Sequence, residues 1–155
     1  MAKRPIVQIE DAILAALAPL AASHKVRAIE PYNGELDLDK FVAAVQQCPA
    51  VLVHYTGSTP EDRGQRRAEY LEFVIFVVDR HEADQSQARR GGTTNPGSYA
   101  LLDGVADLLE GRRVIAADDV FPCVRVSQQS EIQGRSVSVY SARYVIETVY
   151  LVPME

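Results

Sequence analysis

The stretch that decides the fold is Tyr70-Leu71-Glu72-Phe73-Val74-Ile75-Phe76-Val77-Val78. Leu71, Phe73, Ile75 and Val77 recur at every second residue and define one face of an extended chain. Tyr70, Val74, Phe76 and Val78, with Glu72 among them, define the other. Both faces are largely apolar, which predicts a central strand covered on both sides. Upstream, Val51-Leu52-Val53-His54-Tyr55 is a continuous apolar run that fits another interior strand. Between the two, Gly57-Ser58-Thr59-Pro60-Glu61-Asp62 has loop composition and precedes Arg63, Arg66 and Arg67. Downstream, residues 137–152 predict a long strand with Tyr140, Ala142, Tyr144, Ile146 and Tyr150 on one face. Unbroken, it approaches ~50 Å. That exceeds the need of a small domain, so it is expected to bulge, bend or project beyond the body. Gln133-Gly134-Arg135 is a turn, and residues 121–132 precede it as the other arm of an antiparallel hairpin.

Helices fill the intervals. Ile13, Leu14, Leu17, Leu20 and Ala21 fall at helical spacing over 9–22, with Glu10 and Asp11 expected in the first turn and Pro19 as a break or bend. Residues 26–31 read as a short strand, followed by a turn at Tyr32-Asn33-Gly34-Glu35. Asp37 or Asp39 is placed to cap a short helix running to Gln47, with Phe41, Val42 and Val45 as its buried stripe and Pro49 as its stop. Pro96 suits the first turn of a further helix, capped by Thr94 or Asn95. Its stripe is Tyr99, Leu101, Leu102, Val105, Leu108 and Leu109, and Gly111 closes it. The succession is helix, strand, helix, strand, strand, helix, strand, strand. It predicts an α+β fold, a mostly antiparallel sheet flanked by helices, in one domain spanning 1–155.

The 155 residues suffice for a real core, and 47% hydrophobic with 24% charged residues is ordinary globular composition. A net charge of −5 argues against a general or sequence-specific nucleic-acid binder. Cys48 and Cys123 lack metal or redox spacing and read as buried thiols in a reducing compartment. The start Met1-Ala2-Lys3-Arg4-Pro5 leads into no signal-type apolar region, and the Ala/Leu-rich 9–22 segment is too short for a bilayer. A soluble cytoplasmic protein with no membrane partner is expected.

No motif for catalysis stands out. His24 follows the first helix, where capping explains it; His54 sits in an apolar strand as a core histidine; His81 ends the central strand. None has a nucleophile beside it in a recognisable pattern. Asp118-Asp119 and Glu61-Asp62 read as solvated turn acids and match no calcium or two-acid spacing. No metal or cofactor is therefore expected. The polar segment 81–94, ending in Arg89-Arg90-Gly91-Gly92, has the glycines and arginines of a phosphate cradle but not the Walker residues. Glu82 and Asp84 balance its arginines. A mobile surface loop and a partner-binding element remain its two readings.

Several runs together resemble a known family. They are Arg66-Arg67-Ala68 through Phe76-Val77-Val78, Ala88-Arg89-Arg90-Gly91-Gly92 and Gly97-Ser98-Tyr99-Ala100-Leu101-Leu102, with Pro31-Tyr32-Asn33-Gly34-Glu35-Leu36 and Cys48-Pro49-Ala50-Val51-Leu52-Val53. The chain is similar, from Ile9 to about Leu151, to Mu-like phage and prophage tail proteins of the tail-terminator type. The resemblance implies a structural, non-enzymatic protein that forms a hexameric ring. Such a ring caps the tail tube, ends its polymerisation, offers the surface on which the head docks and meets the sheath. It implies the host cytoplasm during assembly and the virion tail afterwards. An acidic lumen would let DNA slide without adhering. A closed ring needs two unlike patches per subunit. Arg89, Arg90, Gly91 and Gly92 are assigned to one, and Gln133, Gly134 and Arg135 to the other. Two alternatives stay open: a head-completion or neck protein of the same particle, and a small ligand-binding or enzymatic domain with a loop-covered pocket near His54, Tyr55 and His81.

Overall fold

The computed structural model describes residues 1–37, 47–81, 84–134 and 136–153. The predicted helix between Asp37 and Gln47, with Asp39, Phe41, Val42 and Val45, lies outside the described residues but for its two ends. Helix α1 (Ile6–Leu17) and a single turn α2 (Leu20–Ser23) lead into strand β1 (Ala28–Pro31). Strands β2 (Ala50–Arg63) and β3 (Arg66–Arg80) follow. Helices α3 (Gln85–Arg90) and α4 (Ser98–Leu109) precede strands β4 (Val124–Gln133) and β5 (Val137–Leu151). The sheet has five strands in the order β1-β2-β3-β5-β4. Among the described strands only the β1–β2 pair is parallel, so the α+β, mostly antiparallel architecture is the one expected.

β3 lies at the centre, as its two apolar faces require. Phe73, Ile75 and Val77 are fully buried beneath the helices with Val51, Val53, Tyr144 and Ile146. Ile9, Ile13 and Leu17 of α1 and Leu101, Val105 and Leu109 of α4 close that layer. On the reverse face Val78 packs with Ala28, Cys48, Ala50, Val137 and Val139. Further along that face the cover is polar and ionic: Arg143 donates to Glu72 at 2.5 Å, Thr56 to Glu72 at 2.9 Å, and Arg63 pairs with Glu147 at 2.9 Å.

The structure redraws several boundaries. α1 starts at Ile6 behind Pro5, so Glu10 and Asp11 fall beyond its first turn and gain nothing from the helix dipole. The segment Ile6–Ser23 is 18 residues long and apolar enough to span a membrane by length and composition, contrary to expectation. Here it breaks at Ala18 and Pro19 and sinks one stripe into the core. Residues 57–62 are not a loop. β2 bulges between Tyr55 and Gly57 and continues to Arg63, because the first half of β3 supplies an extended backbone for it to pair with. The reversal needs only Gly64 (φ 76°) and Gln65, a two-residue turn whose leading left-handed position suits glycine.

β5 pairs with β3 from Arg66↔Leu151 to Arg80↔Val137 without a bulge. The irregularities expected of so long a strand sit in its other neighbour, β4, at Val126 and Glu131. Ahead of the start of β4, residues 119–121 already run along β5: Phe121 N–H donates to the Glu147 carbonyl and Val149 N–H to that of Asp119. Arg4 clamps this segment through two bonds to Asp119, at 2.5 and 2.9 Å, which hold that carboxyl below the usual range.

Phe73→Ala removes a fully buried ring from the helix-covered face. It is expected to lower unfolding free energy by ~3–5 kcal/mol, and Leu151→Ala, at an exposed strand end, by less than about 1 kcal/mol. Urea denaturation of the two variants measures the contrast.

Candidate functional site

The site grows from the last residues of β3. Asp79 has the parity of Phe73, Ile75 and Val77, and it is 1% exposed. Its Oδ1 accepts from the Arg80 N–H at 2.8 Å, and its Oδ2 from the Gly97 N–H at 2.6 Å and Asn95 Nδ2 at 3.0 Å. Burial raises the Asp79 pKa above the ordinary carboxylate value, with these donors opposing the shift. Asn95 Nδ2 also donates to the Gln87 carbonyl at 2.8 Å, which ties the loop after α3 back onto that helix. Neither Thr94 nor Asn95 is the helix cap expected of one of them: Asn95 is a cross-brace, and α4 begins at Ser98 behind Gly97 with no side-chain cap, so Pro96 precedes its first turn.

Residues 81–94 are not simply a polar loop. Asp84 caps α3 by accepting from the Ser86 N–H at 2.8 Å, and Ala88 is fully buried. Gly91 and Gly97 mark where the chain passes itself. A methyl carbon on Gly97 would stand 2.2 Å from the Gly91 nitrogen, and one on Gly91 would stand 2.4 Å from the Pro96 oxygen. Both glycines also hold positive φ, 88° and 86°. Arg89 is half-buried, its Nε enclosed without a hydrogen-bond partner among the described residues, whereas Arg90 is exposed.

Gln133 and Gly134 turn into β5, with the Gly134 N–H donating to the Val137 carbonyl at 2.9 Å. Arg135 lies outside the described residues. Because Val137 pairs with Arg80, and the His81 N–H donates to the Ser136 carbonyl, this turn reaches the same end of the sheet as 81–97. The buried Ser98–Ser138 hydroxyl pair, 2.8 Å apart, fastens the two segments together. The described residues of the two sequence-assigned patches thus lie at the same end of the sheet.

Two adjoining clefts open at that end. One is lined by Ser23, His24, Lys25 and residues 92–96. The other, about 360 Å³, is bordered by Arg27, Arg80, His81 and Asp79, and shares Thr94 and Asn95 with the first. Lys25, Arg27 and Arg80 escaped sequence reading because they are scattered singly among unrelated elements. Asp79 left a signal, an acid at a core-parity position of an apolar strand.

The histidine pocket considered from sequence does not form. Successive residues of a strand face opposite ways: His54 meets Tyr32 edge-on at 4.9 Å, while Tyr55 packs toward Phe73 on the helix side. His54 pairs with Val74, so His81 lies about 23 Å further along the strand direction. Both cysteines are buried thiols, pushed up to about 12 by burial. Among the described residues no cluster of His, Cys, Asp or Glu is arranged to hold a metal.

These features define an α+β protein whose distinctive surface is a charged, shallow sheet end. The chain matches the family model described as Bacteriophage Mu, Gp37 over residues 5–149, and it belongs to that family. It is a Mu-like phage protein, and the family supports a structural role in the particle. No curated protein matches the chain.

Gly97→Ala must adopt left-handed backbone and displace residues 89–91, and is expected to cost ~2–4 kcal/mol in thermal or urea unfolding. Gly111→Ala (φ 72°, open space around it) meets only the backbone term of ~1–2 kcal/mol. For Asp79 the folded pKa is raised, so the folded state holds its proton more tightly than the unfolded chain. Its contribution to stability therefore grows as pH falls through the folded value toward the ordinary one. The stability difference between wild type and Asp79→Asn should accordingly move in favour of wild type between pH 7 and pH 4, as read from urea midpoints.

Proposed function

We propose that this protein is a tail terminator, a non-enzymatic ring that caps the tail tube, stops its growth and presents the docking surface for the head. The observation that carries this reading is the family match across nearly the whole chain, residues 5–149, on a protein whose clefts are open. The fold supplies what such a part requires. A rigid sheet, covered by helices on one side, holds a charged end formed by α3, the 91–97 loop and the β4–β5 turn. Binding is by surface complementarity, through head-to-tail contacts whose rotation closes. Its partners are further copies of itself, the tube, the sheath and the head-completion protein. It works in the host cytoplasm during assembly and remains in the tail.

Within that surface Arg90 is the exposed contact cation, and Gly91 shapes the crossing that presents it. Arg90→Glu leaves the core untouched and is expected to weaken capping at least tenfold while preserving the melting temperature. Particles assembled without the protein should carry tubes of uncontrolled length, and adding wild-type protein during assembly should restore uniform length, counted by electron microscopy. Tubes of normal length that merely fail to join heads would place the protein in the neck instead.

A further inference from the structure

The sheet end and the helix layer carry opposite charge, little of it paired among the described residues, and Asp79, which also borders the sheet-end cleft, is buried and spent on its own hydrogen bonds. At the sheet end, Arg27 and Arg80 border one cleft and Lys25 the adjoining one. None of the three side chains forms an ion pair or hydrogen bond among the described residues. Lys25 also holds left-handed backbone, φ 55°, at the turn after α2. Glycine or asparagine would relieve that position. The second surface is the outer side of α1 and α4. Neither helix contains a single Lys or Arg. Asp11, Asp103 and Asp107 are exposed there, and none has an ion-pair partner among the described residues. Among the described residues some other surface acids are paired, Glu110 with Arg125, Glu147 with Arg63 and Glu72 with Arg143, while Asp62 and Glu131, on the strands, have no ion pair either.

We propose that the cleft bordered by Arg27 and Arg80, with Lys25 on its adjoining rim, binds the acidic α1–α4 face (Asp11, Asp103, Asp107) of a second copy of this chain. This rests on the ring reading above and deepens it by naming both halves of the contact. The two patches assigned from sequence fall at one end of the sheet, so they supply only one of the two unlike surfaces a head-to-tail ring needs. The acidic helix face supplies the other. A second copy is favoured over DNA as the occupant. The chain is acidic overall, at −5, which opposes a polyanion at long range, and the matching carboxylates are already present on every copy.

The test uses two charge reversals that should each fail alone and succeed together. Arg27→Glu/Arg80→Glu gives an acidic cleft facing acidic helices. Asp103→Lys/Asp107→Lys gives a basic cleft facing basic helices. In an equal mixture an alternating ring has only attractive junctions. Copies bound per purified tube end, counted by single-particle fluorescence, should fall at least tenfold for each variant alone and return to the wild-type number for the mixture. Restored assembly also shows that both variants fold. Wild-type-like rings from either variant alone would overturn the surface assignment while leaving the ring reading intact, as would a mixture that fails although both variants melt as wild type does. Wild-type protein that binds tube ends as a single copy would overturn the ring reading and this proposal with it. Loss of duplex DNA binding by Arg27→Glu/Arg80→Glu, with ring assembly unchanged, would make phosphate the occupant and overturn docking by a second copy.

Discussion

Everything in this fold hangs on the uninterrupted pairing of β3 with β5, from Arg66↔Leu151 to Arg80↔Val137. Neither strand bulges against the other, so side chains alternate strictly along both. That alternation sends Phe73, Ile75, Val77, Ala142 and Tyr144 to the helices and leaves Glu72 and Arg143 on the reverse. A slip of one residue would invert every one of these assignments. The register shifts lie outside this pair instead, at the bulges in β2 and β4.

Because the register is fixed, the chemistry at the end of β3 is fixed with it. Asp79 inherits the core-facing parity of Val77 and, having no water to meet, collects the Gly97 N–H, Asn95 and its own neighbour's N–H. Those bonds decide where the Arg-Arg-Gly-Gly segment can run. The glycines are needed because two backbone segments pass within van der Waals distance at 91 and 97, not because a phosphate must be cradled. A feature that looks like a ligand motif is thus a consequence of how a buried carboxylate is satisfied.

The sheet's centre was legible in sequence because hydrophobic alternation records burial directly. Most of the stripes of α1 and α4 and the closing Gly111 were legible too, but Ala21 and Tyr99, placed on those stripes by spacing, are exposed, because both sit at helix ends that turn away from the core. Residues 57–62 were not, since their composition of Gly, Ser, Thr, Pro, Glu and Asp reads as loop, and they become a strand by pairing with residues 67–72. The helix at 85–90 is one turn and a half, too short for periodicity to show. The sites divide in the same way. Arg89 and Arg90 attract notice by adjacency, whereas Lys25, Arg27 and Arg80 come from α2, β1 and β3 borders and meet only in three dimensions. Equally, nothing local in sequence reveals that 89–92 and 133–134 share one end of the sheet.

The geometry of β3 and β5 also gives the protein a preferred direction of strength. A pull along these strands loads every hydrogen bond of a fifteen-residue ladder at once, so the bonds must fail together. A pull across the sheet reaches β1, which four register pairs hold, and can open it one bond at a time. A subunit gripped at both ends of the central ribbon is therefore stiff along one axis and peelable along the other, which makes its orientation within any load-bearing assembly mechanically consequential.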